Sequence, residues 1–375
     1  MTVAIVANGF AEGPAQALRD YLVTRGTRVV TILHPLTPEQ GTTHVVATYA
    51  DGAQESERQV RLPLRPPASY ALDPFVPLVA PGVDTWFGFN PLACARGLVA
   101  RRLRRARRVV LWSVDFVPDR FGAGTVATRL YDRIDRFCCL RADGRVELSE
   151  VARDGRNRRH DLPPAAEHAY VVPMGAWTGR VPTTPPDGFR APRVVFLGHL
   201  VERQGVATLL EALAMLDSVA ADVIGTGPLE TELREHAERV ELDVTFHGYV
   251  ADHRDVEQLL SRASVAVAPY RRSTGTFTRY ADPGKLKAYA AAGLPIVMTD
   301  VPPNARELAA EAGAEIVEDD PSAIADGIKR AVADAEEWRR RREAALTYAR
   351  RFDWNVLLGD VLAKLGVSPN AKPTR

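Results

Sequence analysis

Between residues 193 and 299, short apolar runs and stretches of helical period take turns along the chain. The runs are "RVVFLG", "ADVIG", "DVTFHG", "SVAVAP" and "PIVMT". Continuous apolar runs of this length suit strands covered on both faces, which is the habit of parallel sheets. After the first run, Val206, Leu209, Leu210, Leu213 and Leu216 recur at helical spacing, and Leu259, Leu260 and Val256 do so after the third. Parallel strands need crossovers, and helices supply them, so this half should be a doubly wound α/β domain. In such a domain, ligands bind beyond the carboxyl ends of the strands.

The rest of the chain repeats the theme less clearly. "VAIVA" ends in Asn-Gly, a helix with Ala17, Leu18, Tyr21 and Leu22 on one face follows, and "RVVTILHPL" is a second strand. Residues 37–80 are rich in Pro, Thr and Gly and alternate weakly. The pattern resumes with "DTWFGF" and "RRVVLWSV", separated by an arginine-rich helix. Residues 176–192, with four prolines and two glycines, are the clearest linker. A length of 375 residues suits two domains. The net charge of +1 gives no polyelectrolyte signal for nucleic acid. Cys94, Cys138 and Cys139 lack pairing or zinc-ligand spacing and read as core thiols in a reducing compartment. No basic leader and no bilayer-length apolar run is seen, so the expected location is the cytoplasm or, peripherally, the inner face of a membrane.

The informative residues sit just after the strands: Gly198–His199, Gly225–Thr226–Gly227, Gly248–Tyr249, Pro269–Tyr270 and the loop 280–285. Glycines there can turn the chain or let backbone amides approach a phosphate. In "DPGKL", Asp282 suits a helix N-cap and Pro283 the first turn. Lys285 then lies in the first turn, where the helix dipole disfavours a cation unless an anion is also present. The phosphate-loop pattern is excluded, because the position five residues before Gly284 is Arg279.

The combination "VVFLGHLVERQGVATLLEAL", "ADVIGTGPLETELRE", "VTFHGYV", "LLSRASVAVAPY" and "DPGKLKAYAAAGLPIVMTD", in that order over about residues 190–350, resembles the nucleotide-sugar half of family-4-like glycosyltransferases of the GT-B fold. "LWSVDFVPDRF" and "YVVPMGA" resemble the acceptor half more weakly. "RFDWNVLLGDVLAKL" resembles the C-terminal helix that crosses back to the first domain. The resemblance implies two Rossmann-like domains facing a cleft: residues 1–180 on the acceptor side, 188–350 for the nucleotide sugar, and 351–375 returning to the first. It implies retaining transfer from a nucleoside-diphosphate sugar, with UDP or GDP as the nucleotide and no metal or other cofactor. Gly198, His199, Arg203 and Gln204 would face the diphosphate, and Gly225, Thr226 and Gly227 would line the nucleotide pocket. Gly248, Tyr249 and Val250 would meet the base. Asp282, Gly284, Lys285 and Leu286 would lie over the diphosphate and sugar, near Tyr270 and Tyr280. Many relatives carry arginine and lysine where this chain has His199 and Gln204, and two glutamates where it has Tyr280 and Ala288.

Such chemistry needs the leaving diphosphate stabilised as charge develops. Lys285, Arg203 and the helix N-terminus are the candidates, with Asp115 as acceptor contact or base. The acceptor would be a glycan, a lipid-linked sugar or a small molecule. "ARRLRRARR" (100–108), read as a basic helix carrying Arg101–Arg108, offers contact with an anionic membrane, against the alternative of a solvated face. The competing readings are a nucleotide-sugar epimerase and a non-catalytic partner subunit on the same scaffold.

Overall fold

The computed structural model describes residues 1–10, 13–71, 82–190, 192–272 and 280–369. The chain divides into two units, Met1–Pro173 with Leu357–Arg375, and Met174–Val356. The dividing point therefore falls inside the last helix, Trp354–Lys364.

The first unit is built on an eight-stranded sheet: β1 (Thr2–Asn8), β2 (Arg28–His34), β3 (Thr43–Ala50), β4 (Ala53–Arg61), β5 (Val83–Gly88), β6 (Ala106–Trp112), β7 (Gly144–Glu147) and β8 (Tyr170–Val171). The spatial order is β4-β3-β2-β1-β5-β6-β7-β8. β1, β2 and β5 to β8 run parallel, and the buried runs Val3–Val6 and Val109–Trp112 show why these strands read as continuous apolar segments. Helices α1 (Pro14–Val23), α2 (Pro91–Arg102), α3 (Val126–Arg141) and α4 (Glu150–His160) provide crossovers and cover.

Two expectations for this unit need correction. Residues 43–61, thought weakly patterned, form an antiparallel hairpin on the sheet's outer side. Its turn is Asp51-Gly52, both with positive φ (51° and 84°), the geometry that matches the twist of paired strands. β4 (AQESERQVR) is exposed along almost its whole length, so its apolar alternation is missing. Secondly, "ARRLRRARR" is not one helix. α2 stops at Arg102, Arg104 takes a left-handed conformation (φ 59°), and the amide of Arg105 reaches back to the carbonyl of Ala100. From Ala106 the chain is already strand β6. Several of these arginines hold the fold together. Arg101 pairs with Asp143 at 2.6 Å, and Arg108 donates to the carbonyls of Leu365 and Gly366.

The second unit is a six-stranded, wholly parallel sheet of order β11-β10-β9-β12-β13-β14. The strands are β9 (Arg193–Leu197), β10 (Ala220–Ile224), β11 (Val244–Gly248), β12 (Val265–Ala268), β13 (Ile296–Thr299) and β14 (Glu315–Val317). The first five are those expected. The sixth is three residues long with a half-exposed pattern, too short to show a period. The core joins Val194, Phe196, Val223, Val265 and Val267 to Leu209, Leu210 and Leu213 of the crossover helix Val206–Leu213. Leu216 lies beyond that helix but still packs on the same core.

The proline-rich stretch is no loose linker. Ala176 bridges Asp353, the amide of Thr178 donates to Asp353 at 3.0 Å, and Arg180 is paired with the buried Glu257. Thr184 is fully buried, with its hydroxyl on the carbonyl of Ala263 and its own carbonyl taken by Arg342. Proline removes donors from this segment, and its remaining polar groups are satisfied inside the second unit.

Candidate functional site

Register sets the geometry of the second unit's carboxyl edge. Leu197 pairs with Ile224, and Ile224 with Gly248, so three glycine-bearing turns lie side by side. They are knitted together by main-chain bonds. Gly198 N–H donates to Ile224, Gly225 N–H to Gly248 and Leu200 N–H to Thr226, at 2.9, 2.8 and 3.0 Å. The amides of Gly198, expected to face the diphosphate, and of Gly225, expected to line the nucleotide pocket, are thus already used. The glycine at 225 is needed for the stacking itself: its φ is 133°, and a Cβ there would lie 2.0 Å from the carbonyl oxygen of Gly198. Gly205 has the same purpose one loop away, since a Cβ would lie 1.7 Å from the carbonyl oxygen of Pro269. The residue before Gly205, Gln204, meets Lys285 at the start of the helix Gly284–Ala291.

Lys285 occupies the first turn of this helix, as expected. Its ammonium is 2.6 Å from Gln204 Oε1 and lies over two ring faces, 4.4 Å from the centroid of Phe196 and 4.3 Å from that of Tyr270. It has no carboxylate partner among the described residues. Rings and an amide oxygen are weak compensation for lost water, so burial pushes its pKa down to about 7. An anion placed here would restore the charge.

The neighbours of Lys285 have other duties. Asp282 is not the N-cap, a position held by Pro283. Its carboxylate is buried and accepts from Met174 N–H at 2.6 Å and Asn304 Nδ2 at 3.0 Å, with Lys287 Nζ 3.5 Å away. Burial raises its pKa, and Lys287 opposes that rise. Asp282 is thus an internal strut that fixes the helix start. Leu286 is fully buried, so its side chain is core and not ligand contact. A Cβ on Gly284 would meet Met174 Cε at 2.9 Å. The two lysines of "GKLK" differ completely. They lie about 200° apart around the helix, and Lys287 is buried against the Tyr348 hydroxyl (3.1 Å) and the Phe352 ring.

The other expected residues ring this edge. His199 is exposed, with Nδ1 2.6 Å from the carbonyl of Thr226, which orients the ring and leaves Nε2 for a ligand. The hydroxyl of Thr226 donates to Glu230 at 2.7 Å. Arg203 is half-buried close to Tyr270, which is itself buried with its phenol pushed well up by desolvation. Tyr249 is exposed, and Val250 and Tyr280 are half-buried. Residues 273–279, between Tyr270 and Tyr280, lie outside the described residues. Sequence reasoning missed Tyr289, whose buried hydroxyl accepts the amide of Leu197 at 2.7 Å and pins the end of β9. It reads as one more apolar position of the helix.

In the first unit, Asp115 follows β6 and its carboxylate meets Arg120 at 2.5 Å. Its carbonyl accepts from Ser113 Oγ (2.7 Å) and Arg156 Nη2 (2.9 Å). Arg156 is buried and pairs with Asp135 and with Glu147 (2.8 Å), and His160 Nε2 lies 2.8 Å from Asp135. Burial works against the charge of Asp135, but Arg156 and His160 outweigh it and hold its carboxyl below the usual range. Glu147, by contrast, is pushed up by burial despite Arg156 and Arg145. This network fastens the turn carrying Asp115. It was missed because Asp135, Glu147 and Arg156 come from α3, β7 and α4, far apart in sequence.

Residues 191–334 match the sequence model of the family described as glycosyl transferases group 1. A comparison with curated proteins returns no match. Solved structures do match along nearly the whole chain. Anabaena Alr3699/HepE in complex with UDP superposes with a TM-score of 0.68 at 16% identity, over 98% of this chain and 100% of that one. Sucrose-phosphate synthase (tll1590) from Thermosynechococcus elongatus gives 0.70 at 17%, over 97% and 99%. WaaG, a glycosyltransferase involved in lipopolysaccharide biosynthesis, gives 0.59 at 14%, over 98% and 100%. The fold is GT-B, with two parallel-sheet α/β domains, and the resemblance to GT-B glycosyltransferases read from the sequence is borne out.

Proposed function

We propose that this chain is a retaining, family-4-like hexosyltransferase that takes its sugar from a UDP- or GDP-sugar and passes it to a glycan, a lipid-linked sugar or a small molecule. The observation that carries the reading is the Lys285 ammonium. It stands at a helix N-terminus on the carboxyl edge of a parallel sheet, within the matched segment, held by rings and an amide with no carboxylate among the described residues to neutralise it. That arrangement suits a diphosphate whose charge grows as the glycosidic bond to phosphate breaks. Solved relatives of the same fold carry UDP and UDP-glucose, which supports a nucleotide-sugar donor. Gln204 orients the lysine, His199 Nε2 and Arg203 are further donors, and the backbone around Gly248–Val250 meets the base. Asp115, steadied by Arg120, is the acceptor contact. Transfer proceeds without a metal in this reading. The three thiols are free and buried, which suits a reducing compartment such as the cytoplasm, and among the described residues no helix is long and apolar enough to cross a membrane.

Thermal unfolding with UDP, GDP, TDP and ADP, each with and without magnesium, tests this. A ligand that binds only the folded state raises Tm in proportion to its saturation. A rise with one nucleotide, unchanged by magnesium and absent in Lys285→Ala, is the expected result. No rise with any of them would favour the non-catalytic reading, with Tyr280 and Ala288 as its motive.

A further inference from the structure

Helix α3 wears apolar residues on the wrong side. Its inner face is Thr128, Asp135, Cys138 and Cys139, all buried. On the opposite face Val126, Leu130 and Phe137 are 72%, 56% and 50% exposed. At about 100° per residue these three fall within about 40° of one another, a single stripe. Arg129, Arg133 and Arg136 lie along one side of it and Arg141 along the other, all exposed. No acid interrupts the face: Asp135 is buried and Asp132 is held by Arg159. Arg129, Arg133 and Arg141 make no ion pair among the described residues. The neighbouring end of α2 extends the surface. Arg101 bonds the carbonyl of Arg141 at 3.0 Å, tying the two last turns together, and α2 adds exposed Val99 and Arg102, with exposed Leu103 and Arg104 just past its end.

We propose that this face of α3, with the end of α2, rests on an anionic lipid surface. A surface helix ordinarily turns polar residues outward, and clustered large apolar side chains in water mark a contact site. The arginine rows decide which contact. A twofold pairing of two copies would set the same arginines against each other. A layer of lipid phosphates pairs them instead, while Val126, Leu130 and Phe137 enter the boundary between headgroups and acyl chains. The contact differs from the basic helix expected over 100–108, where Arg101 and Arg108 are committed to the fold. It does not depend on the donor-site reading.

The test is co-sedimentation of the full chain with phosphatidylcholine vesicles, alone or mixed with phosphatidylglycerol. Binding to the mixed vesicles only, weakening with salt, is expected. Leu130→Ser with Phe137→Ser should reduce it at least tenfold. Arg129→Gln and Arg133→Gln should each weaken it about fivefold. All four side chains are exposed, so the circular dichroism melt should stay in place. Failure to sediment with the mixed vesicles would overturn the proposal, as would unchanged binding by both sets of variants. Concentration-dependent self-association abolished by the same substitutions, without vesicle binding, would assign the face to a second copy and also overturn it.

Discussion

The turns after β9 and β10 in the second unit and the turn after β6 in the first all follow the carboxyl ends of parallel strands, yet they are secured differently. The former are stacked by main-chain hydrogen bonds, with glycine where a side chain would collide. The latter is fastened by one buried guanidinium that serves Ser113, Asp115, Asp135 and Glu147 together. Main-chain stacking fixes the position of a turn whatever its exposed side chains are. Beside these turns Lys285 has no carboxylate partner among the described residues. A buried ionic hub does the opposite: it fixes Asp115 only while each charge has its counterpart.

The strongest way to break the contrast is Arg156→Met. It leaves Asp135 and Glu147 buried without their main cation and should destabilise the first unit by about 4 kcal/mol. Hydrogen exchange should rise in residues 106–160 and stay unchanged in 193–299. Lys285→Ala should cut turnover by about 10²–10³-fold, the range for losing one donor to a developing oxyanion, with no change in the melt beyond a few degrees. Steady-state kinetics with the donor identified by thermal shift would show it. Gly225→Ala drives a Cβ into the Gly198 carbonyl and should cost about 3 kcal/mol by denaturant titration. An equally large effect on hydrogen exchange in both units would mean that the two turns are not secured separately.

Lysine 285 also gives the comparison a pH signature. Its folded pKa is about 7, below that of an unfolded lysine. Between these values the unfolded chain binds more protons, so this residue makes stability rise with pH from about 7 upward. Nucleotide affinity should move the other way, falling as pH rises through 7, because the diphosphate prefers the ammonium. Calorimetry at pH 6, 7 and 8 on wild type and Lys285→Met should show the opposite slopes in the first and neither in the second. The smallest effect is expected for Gly52→Ala in the β3–β4 turn, about 1 kcal/mol from the positive φ alone.

Legibility followed the same division. Of the five strands in 193–299, β12 and β13 were readable because they are buried throughout, whereas β11 lies at the edge, is half-exposed, and was readable from its place in the strand–helix alternation. The place of Lys285 in the first turn of its helix was readable from the Pro-Gly that precedes it. Asp282 was read as the helix N-cap, but Pro283 holds that position and Asp282 is an internal strut, which sequence proximity to Lys285 does not reveal. The hub of Arg156 was not visible at all, since its members come together only when α3, β7 and α4 are assembled. The β3–β4 hairpin had one local signal, Asp51-Gly52, without the alternation that normally accompanies it.

That missing alternation has a colloidal consequence. β4 ends the first sheet, and such a margin can recruit another chain's strand. Here it displays Glu55, Glu57, Arg58 and Arg61, so an approaching copy must desolvate charge before any ladder can grow. At the opposite margin β8 spans two residues, too few to template an addition. Strand addition to this sheet is thus disfavoured at both margins.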